Sequence, residues 1–214
     1  QETFLAVVFS LGSGYLFSYV TLALIHLLEG LVGQPSGNAV SAVESSLPPV
    51  VAILAFAVVA PVAEEFIFRR LLLDRVRIFG DGAAILIGGA AFGLFHGNLN
   101  QTLYAFVLGA VFSAIVLLTN RLRYTIGIHM LINGISVLTT LVESDLLDYL
   151  LACVILFSIC FSVVLFFVRR KHYTFEPGPL PFSRAEKVHA CFTSPWVWIL
   201  LVGGLAFSGV SIFL

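Results

Sequence analysis

The sequence has 214 residues, of which 59% are hydrophobic and only 11% are charged, and its mean hydropathy is +1.05. Soluble domains usually carry about 25% charged residues, so this composition excludes a water-soluble globular protein and predicts an integral membrane protein. The net charge of −1 and the lack of a basic tract argue against nucleic acid as a partner. The three cysteines lack the spacing of a disulfide framework or a metal site.

Seven apolar stretches have about the length at which a helix crosses the hydrocarbon core, near 20 residues. In chain order they are 3–28, 49–68, 83–98, 101–119, 125–142, 147–168 and 194–214. The fold class that this pattern predicts is an all-α polytopic membrane protein, with seven transmembrane helices around a polar cavity. We expect a single membrane domain over 1–214. The chain starts at Gln1 and stops inside an apolar run at Leu214, which is compatible with truncation at either end.

The basic residues are confined to three of the connections between these stretches. They are Arg69, Arg70, Arg75 and Arg77 after the second stretch, Arg121 and Arg123 after the fourth, and Arg169, Arg170, Lys171, Arg184 and Lys187 after the sixth. Because Lys and Arg accumulate in cytoplasmic loops, these connections are predicted to be cytoplasmic. The N-terminus is then cytoplasmic too, in a protein that we assign to the plasma membrane. The polar cavity is predicted to open toward the cytoplasm.

A small set of ionisable and amide side chains lies in or beside the predicted spans, where lipid makes such groups costly. The main ones are Glu64, Glu65 and Arg69 in the second span, His96 and Asn100 around the end of the third, and His129 and Asn133 in the fifth. Residues four apart share a helix face, so Arg69 can neutralise Glu65 and leave Glu64 for other contacts. By the same spacing, His129 and Asn133 can point into one cavity.

The depth of these residues in the membrane leads to two further expectations. Pro61 has no backbone N–H, so we expect a kink before Glu64 and a carbonyl that needs another partner, such as water. Glu64 lies about one turn from the basic end of its span, whereas His96 is about fourteen residues, or about 20 Å, into the third span. The third span should therefore be steeply tilted, or broken at Gly88-Gly89.

A purely structural role accounts for some of the polar residues. Glu65 and Arg69 at a helix end can reach the membrane surface as a simple ion pair. His26, His172 and His189 are expected to be ordinary interfacial residues. For the polar groups on separate spans, coincidence is the weaker explanation, because each would cost its helix several kcal/mol without return.

Three short motifs follow one another on separate apolar stretches. They are Glu-Glu-x-x-x-Arg at 64–69, Phe-x-x-x-His at 92–96 and His-x-x-x-Asn at 129–133. In this order they resemble the CPBP family, which comprises the CAAX prenyl proteases (type II CAAX endopeptidases) and bacteriocin-processing enzymes. The resemblance covers roughly residues 50–142, which would form the catalytic core.

The resemblance implies a glutamate-dependent intramembrane endopeptidase, which the charge pattern places near the cytoplasmic side of the membrane. Transferred position by position, Glu64 and His96 would activate a water molecule, and His129 and Asn133 would stabilise the oxyanion. The residues expected to support them are Glu65, Arg69, Asn100 and Phe92. The implied partners are the lipid bilayer and a peptide or protein substrate, lipidated or membrane-associated.

Hydrolysis by water suits these residue types, because a carboxylate can act as the base and imidazole or amide N–H groups can bind an oxyanion. No Ser or Cys nucleophile accompanies them. Glu64, His96 and His129 also fit a zinc site by type, but no His-Glu-x-x-His motif is present, so we favour a mechanism without a cofactor and keep zinc as the alternative. Two other functions stay open, namely a transporter or proton relay and a non-catalytic peptide-binding or bacteriocin-immunity protein.

Overall fold

The computed structural model describes residues 2–33, 43 and 46–210, and within them the protein is helical without a strand. The helices are α1 (Glu2–Val32), α2 (Pro49–Phe79), α3 (Asp81–Phe95), α4 (Leu99–Thr119), α5 (Leu122–Leu141), α6 (Asp145–Arg169), α7 (Arg184–Thr193) and α8 (Pro195–Val210). Helices α3 and α4 pack closely as an antiparallel pair, and α1 lies against both α4 and α6.

Five of the described helices are long and apolar enough to cross a membrane, namely α1, α2, α4, α5 and α6. The prediction of an all-α integral membrane protein is therefore confirmed. The count of seven spans stays a prediction, because α3 and α8 have only 15 and 16 residues. Residues 211–214, at the end of the last predicted span, lie outside the described residues.

Helix α2 is longer than the sequence analysis predicts. Its predicted end at residue 68 is wrong, because the helix continues through the arginine pair at 69–70 as far as Phe79. Arg69 is buried inside the bundle instead of marking the membrane surface. Glu64 therefore lies in the middle of a 31-residue helix, far from its basic end.

The turn at Gly80 resolves the expected mismatch in depth. Gly80 has φ +102°, where a side chain would be strained, and it joins α2 to α3. It lies sixteen residues after Glu64 and sixteen before His96, so both side chains are about 24 Å from the same corner by helical rise. Helix α3 is unbroken from Asp81 to Phe95, and the expected break at the glycine pair is wrong.

The glycines of α3 instead allow α4 to approach closely. A Cβ atom added to Gly89 would lie 2.8 Å from the Phe106 carbonyl oxygen, and one on Gly93 would lie 2.6 Å from the Thr102 carbonyl oxygen. Real Cβ atoms do not come so close, so these positions require glycine. The close contact brings the end of α3, where His96 lies, against the start of α4.

One end of the bundle gathers the N-terminus of α1 and the basic connections, and we call it the basic face. Arg169 at the end of α6 pairs with Glu2 at the start of α1, at 3.0 Å. Asp81 at the start of α3 accepts hydrogen bonds from the Arg77 side chain, at 2.9 Å, and from the Glu176 backbone N–H, at 3.0 Å. These contacts connect the α6–α7 loop to the corner between α2 and α3.

Because α3 packs closely on α4, even a methyl side chain at position 89 is predicted to destabilise the protein. We expect Gly89→Ala to lower the free energy of unfolding by about 1–3 kcal/mol, because the new methyl group overlaps the α4 backbone. Gly134→Ala on α5 is the matched control, since nothing lies within 4 Å of its added Cβ. Thermal unfolding in detergent checks this, and equal melting temperatures for both variants would refute the packing argument.

Candidate active site

A cavity of about 530 Å³ lies among helices α1 to α5. Its lining includes the four residues predicted to be catalytic, which are Glu64, His96, His129 and Asn133, together with Phe92 and Asn100. Glu65 and Arg69 lie behind the wall and are fully buried. The fold therefore brings the three motifs together, although they lie on separate helices.

Two carboxylates and one imidazole form the charged centre of the cavity wall. The Nδ1 atom of His129 lies 3.2 Å from Oε1 of Glu65, and its Nε2 atom lies 3.8 Å from Oε2 of Glu64. The Glu64 side chain is 17% exposed, while that of Glu65 is 0% exposed. His129 is thus held by the buried Glu65 and turned toward the accessible Glu64.

Arg69 pairs with Glu65 behind the cavity wall. Its Nε atom lies 3.4 Å from Oε2 of Glu65, and both side chains are 0% exposed. Its guanidinium carbon lies 4.8 Å from the ring centre of Phe92 and 5.8 and 5.9 Å from those of Phe112 and Phe68. Aromatic faces attract a desolvated cation. The pair is therefore a buried part of the site, and the alternative of an ion pair at the membrane surface is wrong.

His96 follows the last residue of α3 and faces the cavity. Its Nδ1 atom lies 2.8 Å from the Phe92 carbonyl oxygen, which can only accept a hydrogen bond, so Nδ1 carries the proton. In the neutral ring, Nε2 then has a free lone pair. Gly97, with φ +56°, ends the helix here, and Asn98 caps α4 through the Asn100 backbone N–H. Asn100 therefore reaches the cavity from α4 and not along a continued α3.

Asn133 donates a hydrogen bond from Nδ2 to the Phe56 carbonyl oxygen, at 3.0 Å. Phe56 lies in a π-helical segment of α2, Ile53–Val59, where the N–H of residue i+5 satisfies each carbonyl. The fifth residue after Phe56 is Pro61, which has no N–H. The freed carbonyl that Pro61 predicts is therefore present, and its partner is Asn133. One N–H of the Asn133 amide stays for another acceptor.

The cavity is also lined by polar residues that do not belong to the three motifs. They are Tyr15, Ser18, Gln101, Tyr104, Ser136 and Thr139. Tyr104 is four residues after Asn100 on α4, so the two share a helix face, a spacing that could have revealed it. Hydroxyl side chains are common in membrane helices, so the sequence alone does not distinguish those of this cavity from others.

Among the described residues, no three His, Cys, Asp or Glu side chains are grouped so that they could hold a metal ion. The Nδ1 atom of His129 faces Glu65, and its Nε2 atom faces Glu64. Catalysis without a metal stays a prediction, with zinc as the alternative.

The buried group predicts unequal roles for the two adjacent arginines of α2. We expect Arg69→Met to lower the free energy of unfolding by about 3–5 kcal/mol, because Glu65 loses its buried cation. Arg70→Met is the control, since Arg70 pairs with Asp74 on the surface and its loss should cost at most about 1 kcal/mol. Denaturant titration of the purified protein measures both values. Similar losses would contradict a special role for the buried pair.

The comparisons with known proteins agree with this geometry. The family model described as Rce1-like, type II CAAX prenyl endopeptidase Rce1-like, matches residues 46–135, which include all three motifs. The chain is 25% identical over 135 residues to the membrane-embedded CAAX protease MroQ of Staphylococcus aureus (strain USA300). That match covers 60% of this chain and 54% of the relative, so the chain spans about half the length of the curated relative it matches. No solved structure matches the chain.

A family match over the segment that carries the site, a relative with a protease name and converging motifs all point the same way. These matches support the CPBP family for the segment that carries the site, a family that includes the type II CAAX prenyl endopeptidases.

Proposed function

We propose that this protein is an intramembrane endopeptidase in which Glu64 activates the water that hydrolyses the substrate. The observation that carries this proposal is the position of Glu64 on the cavity wall. The Glu64 side chain is 17% exposed and lines the cavity, while its Oε2 atom is buried toward His129, just beyond hydrogen-bond distance. A carboxylate that is accessible in a cavity can accept a proton from a bound water.

The other residues of the site fit the remaining steps. Glu64 takes a proton from water while the water oxygen attacks the carbonyl carbon of the peptide bond. His96, through Nε2, serves as a second acceptor that orients this water. The second N–H of Asn133 and the Nε2 atom of His129 then donate to the oxyanion. The proton on Glu64 passes to the leaving nitrogen as the C–N bond breaks, which yields an acid and an amine.

Glu65, Arg69 and Phe92 position the reacting groups. Glu65 orients His129 through Nδ1, Arg69 offsets the excess negative charge of the two carboxylates, and Phe92 supplies the carbonyl that fixes His96. Asn100 offers a polar contact to the peptide backbone. The chemistry assigned to these residues needs no metal. The substrate is a peptide or a protein that is lipidated or otherwise associated with the membrane.

Loss of the Glu64 carboxylate tests the proposal. We expect Glu64→Gln to abolish cleavage, with a fall in rate of at least about 10³-fold, because an amide cannot accept the proton from water. Glu143→Gln, on the exposed α5–α6 connection, is the control and should leave cleavage unchanged. The measurement is a mass-spectrometric comparison of new protein N-termini in membranes that contain the wild type or either variant.

Three results, from that comparison or from assays of the purified protein, would contradict the proposal. Identical N-termini with and without Glu64 favour a non-catalytic peptide-binding protein. Solute flux through liposomes that depends on Glu64, without cleavage, favours a transporter. For a cleaved peptide found this way, we expect hydrolysis by the purified protein to continue in EDTA, and its loss with recovery on adding Zn²⁺ would support the zinc alternative.

Asn133 and Pro61 allow the structural and chemical roles of the amide to be separated. We expect Asn133→Ala to lower kcat by about 10²–10³-fold, the usual cost of one oxyanion donor, with little change in KM. It also leaves the Phe56 carbonyl unpaired and lowers stability. In the double variant with Pro61→Ala, a backbone N–H can pair with that carbonyl. Stability should recover while kcat stays low, and recovery of both would mean that Asn133 only supports the helix.

A further inference from the structure

The side chains between Glu64 and the basic face form a closed floor to the cavity. On α2, the buried residues after Glu64 include Arg69 and Leu73, each only 1% exposed. Phe112 on α4 is 0% exposed, and Thr125 and Ile128 on α5 are 0% and 3% exposed. Each of them lies between the cavity and the end of its helix at the basic face. These side chains fill the space between the cavity and the basic face on α2, α4 and α5.

The lining residues extend in the opposite direction, to the other end of the bundle. On α4 the cavity reaches the first turn at Asn100 and Gln101, and on α5 it reaches Thr139, two residues before the helix ends. Ser136 and Thr139 are exposed although they line the cavity. The cavity is therefore open at the end of the bundle remote from the basic face.

The charges identify the two sides of the membrane. The described connections at the open end are 96–98, between α3 and α4, and 142–144, between α5 and α6. They carry Glu143, followed by Asp145 and Asp148 in the first turn of α6, and no Lys or Arg. The connections at the basic face hold the Arg and Lys residues, which accumulate on the cytoplasmic side.

We propose that the catalytic cavity opens to the outer side of the membrane, and that the protein cleaves peptide segments presented from the outer half of the bilayer. This rests on the proposed function and replaces the expected cytoplasmic opening. The polar side chains around the mouth are uncharged amides and hydroxyls, those of Asn100, Gln101, Ser136 and Thr139. Such groups suit the backbone of an extended, uncharged segment better than a charged side chain.

Single cysteines measure the direction of access without any substrate. In a chain whose three native cysteines are replaced by alanine, Ser18→Cys places a thiol in the cavity and Arg121→Cys one on the basic face. Ser113→Cys places one at a fully buried position of α4, next to Phe112 of the floor. The probe is a permanently charged, membrane-impermeant thiosulfonate. It is applied to right-side-out and to inverted membrane vesicles of the producing cells.

We expect Ser18→Cys to react in right-side-out vesicles, Arg121→Cys only in inverted vesicles and Ser113→Cys in neither until the protein is unfolded. Reaction of Ser18→Cys only in inverted vesicles, or in neither kind, would overturn the outward opening. Thr139→Cys, at the exposed mouth of the cavity, is a second variant that is less disruptive to folding than Ser18→Cys. We expect it to react from the same side of the membrane as Ser18→Cys. Because the labelling requires no activity, its outcome is independent of whether Glu64 proves to be catalytic.

Discussion

The structure depends on a buried charge group inside a membrane bundle. Glu65 and Arg69 are fully buried and paired, and His129 joins Glu65 to the accessible Glu64. An isolated charge at this depth would cost several kcal/mol, so each member depends on the others. The aromatic rings around Arg69 supply the remaining stabilisation where the guanidinium nitrogens have no hydrogen-bond partner among the described residues. Glu64 is therefore held at the cavity wall, while the charge of its neighbour Glu65 is offset by Arg69.

Departures from regular helix geometry place the reacting groups. Helix α2 has π-helical segments on both sides of Glu64, at Ile53–Val59 and Phe66–Leu72. Such segments rotate the side chains that follow them and release backbone carbonyls, and they are frequent at functional sites. Pro61 adds to the effect in the first segment, and Asn133 on α5 binds the released carbonyl. The same contact ties α5 to α2 at the level where His129 meets Glu64.

The sequence was sufficient for the features that depend on local spacing. The i,i+4 relations of Glu65 with Arg69 and of His129 with Asn133 predicted shared faces, and the structure has both pairs at the site. It was not sufficient where tertiary packing overrides the usual meaning of a residue. The basic cluster that contains Arg69 predicts the membrane surface, although aromatic packing allows Arg69 to lie inside. The glycine pair of α3 predicts a break or a tilt of the helix, although it serves close packing against α4. Spacing along the sequence does not determine the direction in which the cavity opens, because that direction depends on which ends of α2, α4 and α5 are filled by side chains.

The central claim is that Glu64 and Asn133 act on one carbonyl group within the cavity. The most direct measurement is a structure of the Glu64→Gln protein with a cleaved-site peptide bound in the uncleaved state. We expect the scissile carbonyl carbon to lie about 3–3.5 Å from a water held by the side chain at position 64, as in a reactive geometry. Its oxygen should lie within hydrogen-bond distance of Asn133 Nδ2. A peptide bound outside this cavity, or with its carbonyl turned away from Asn133, would contradict the account.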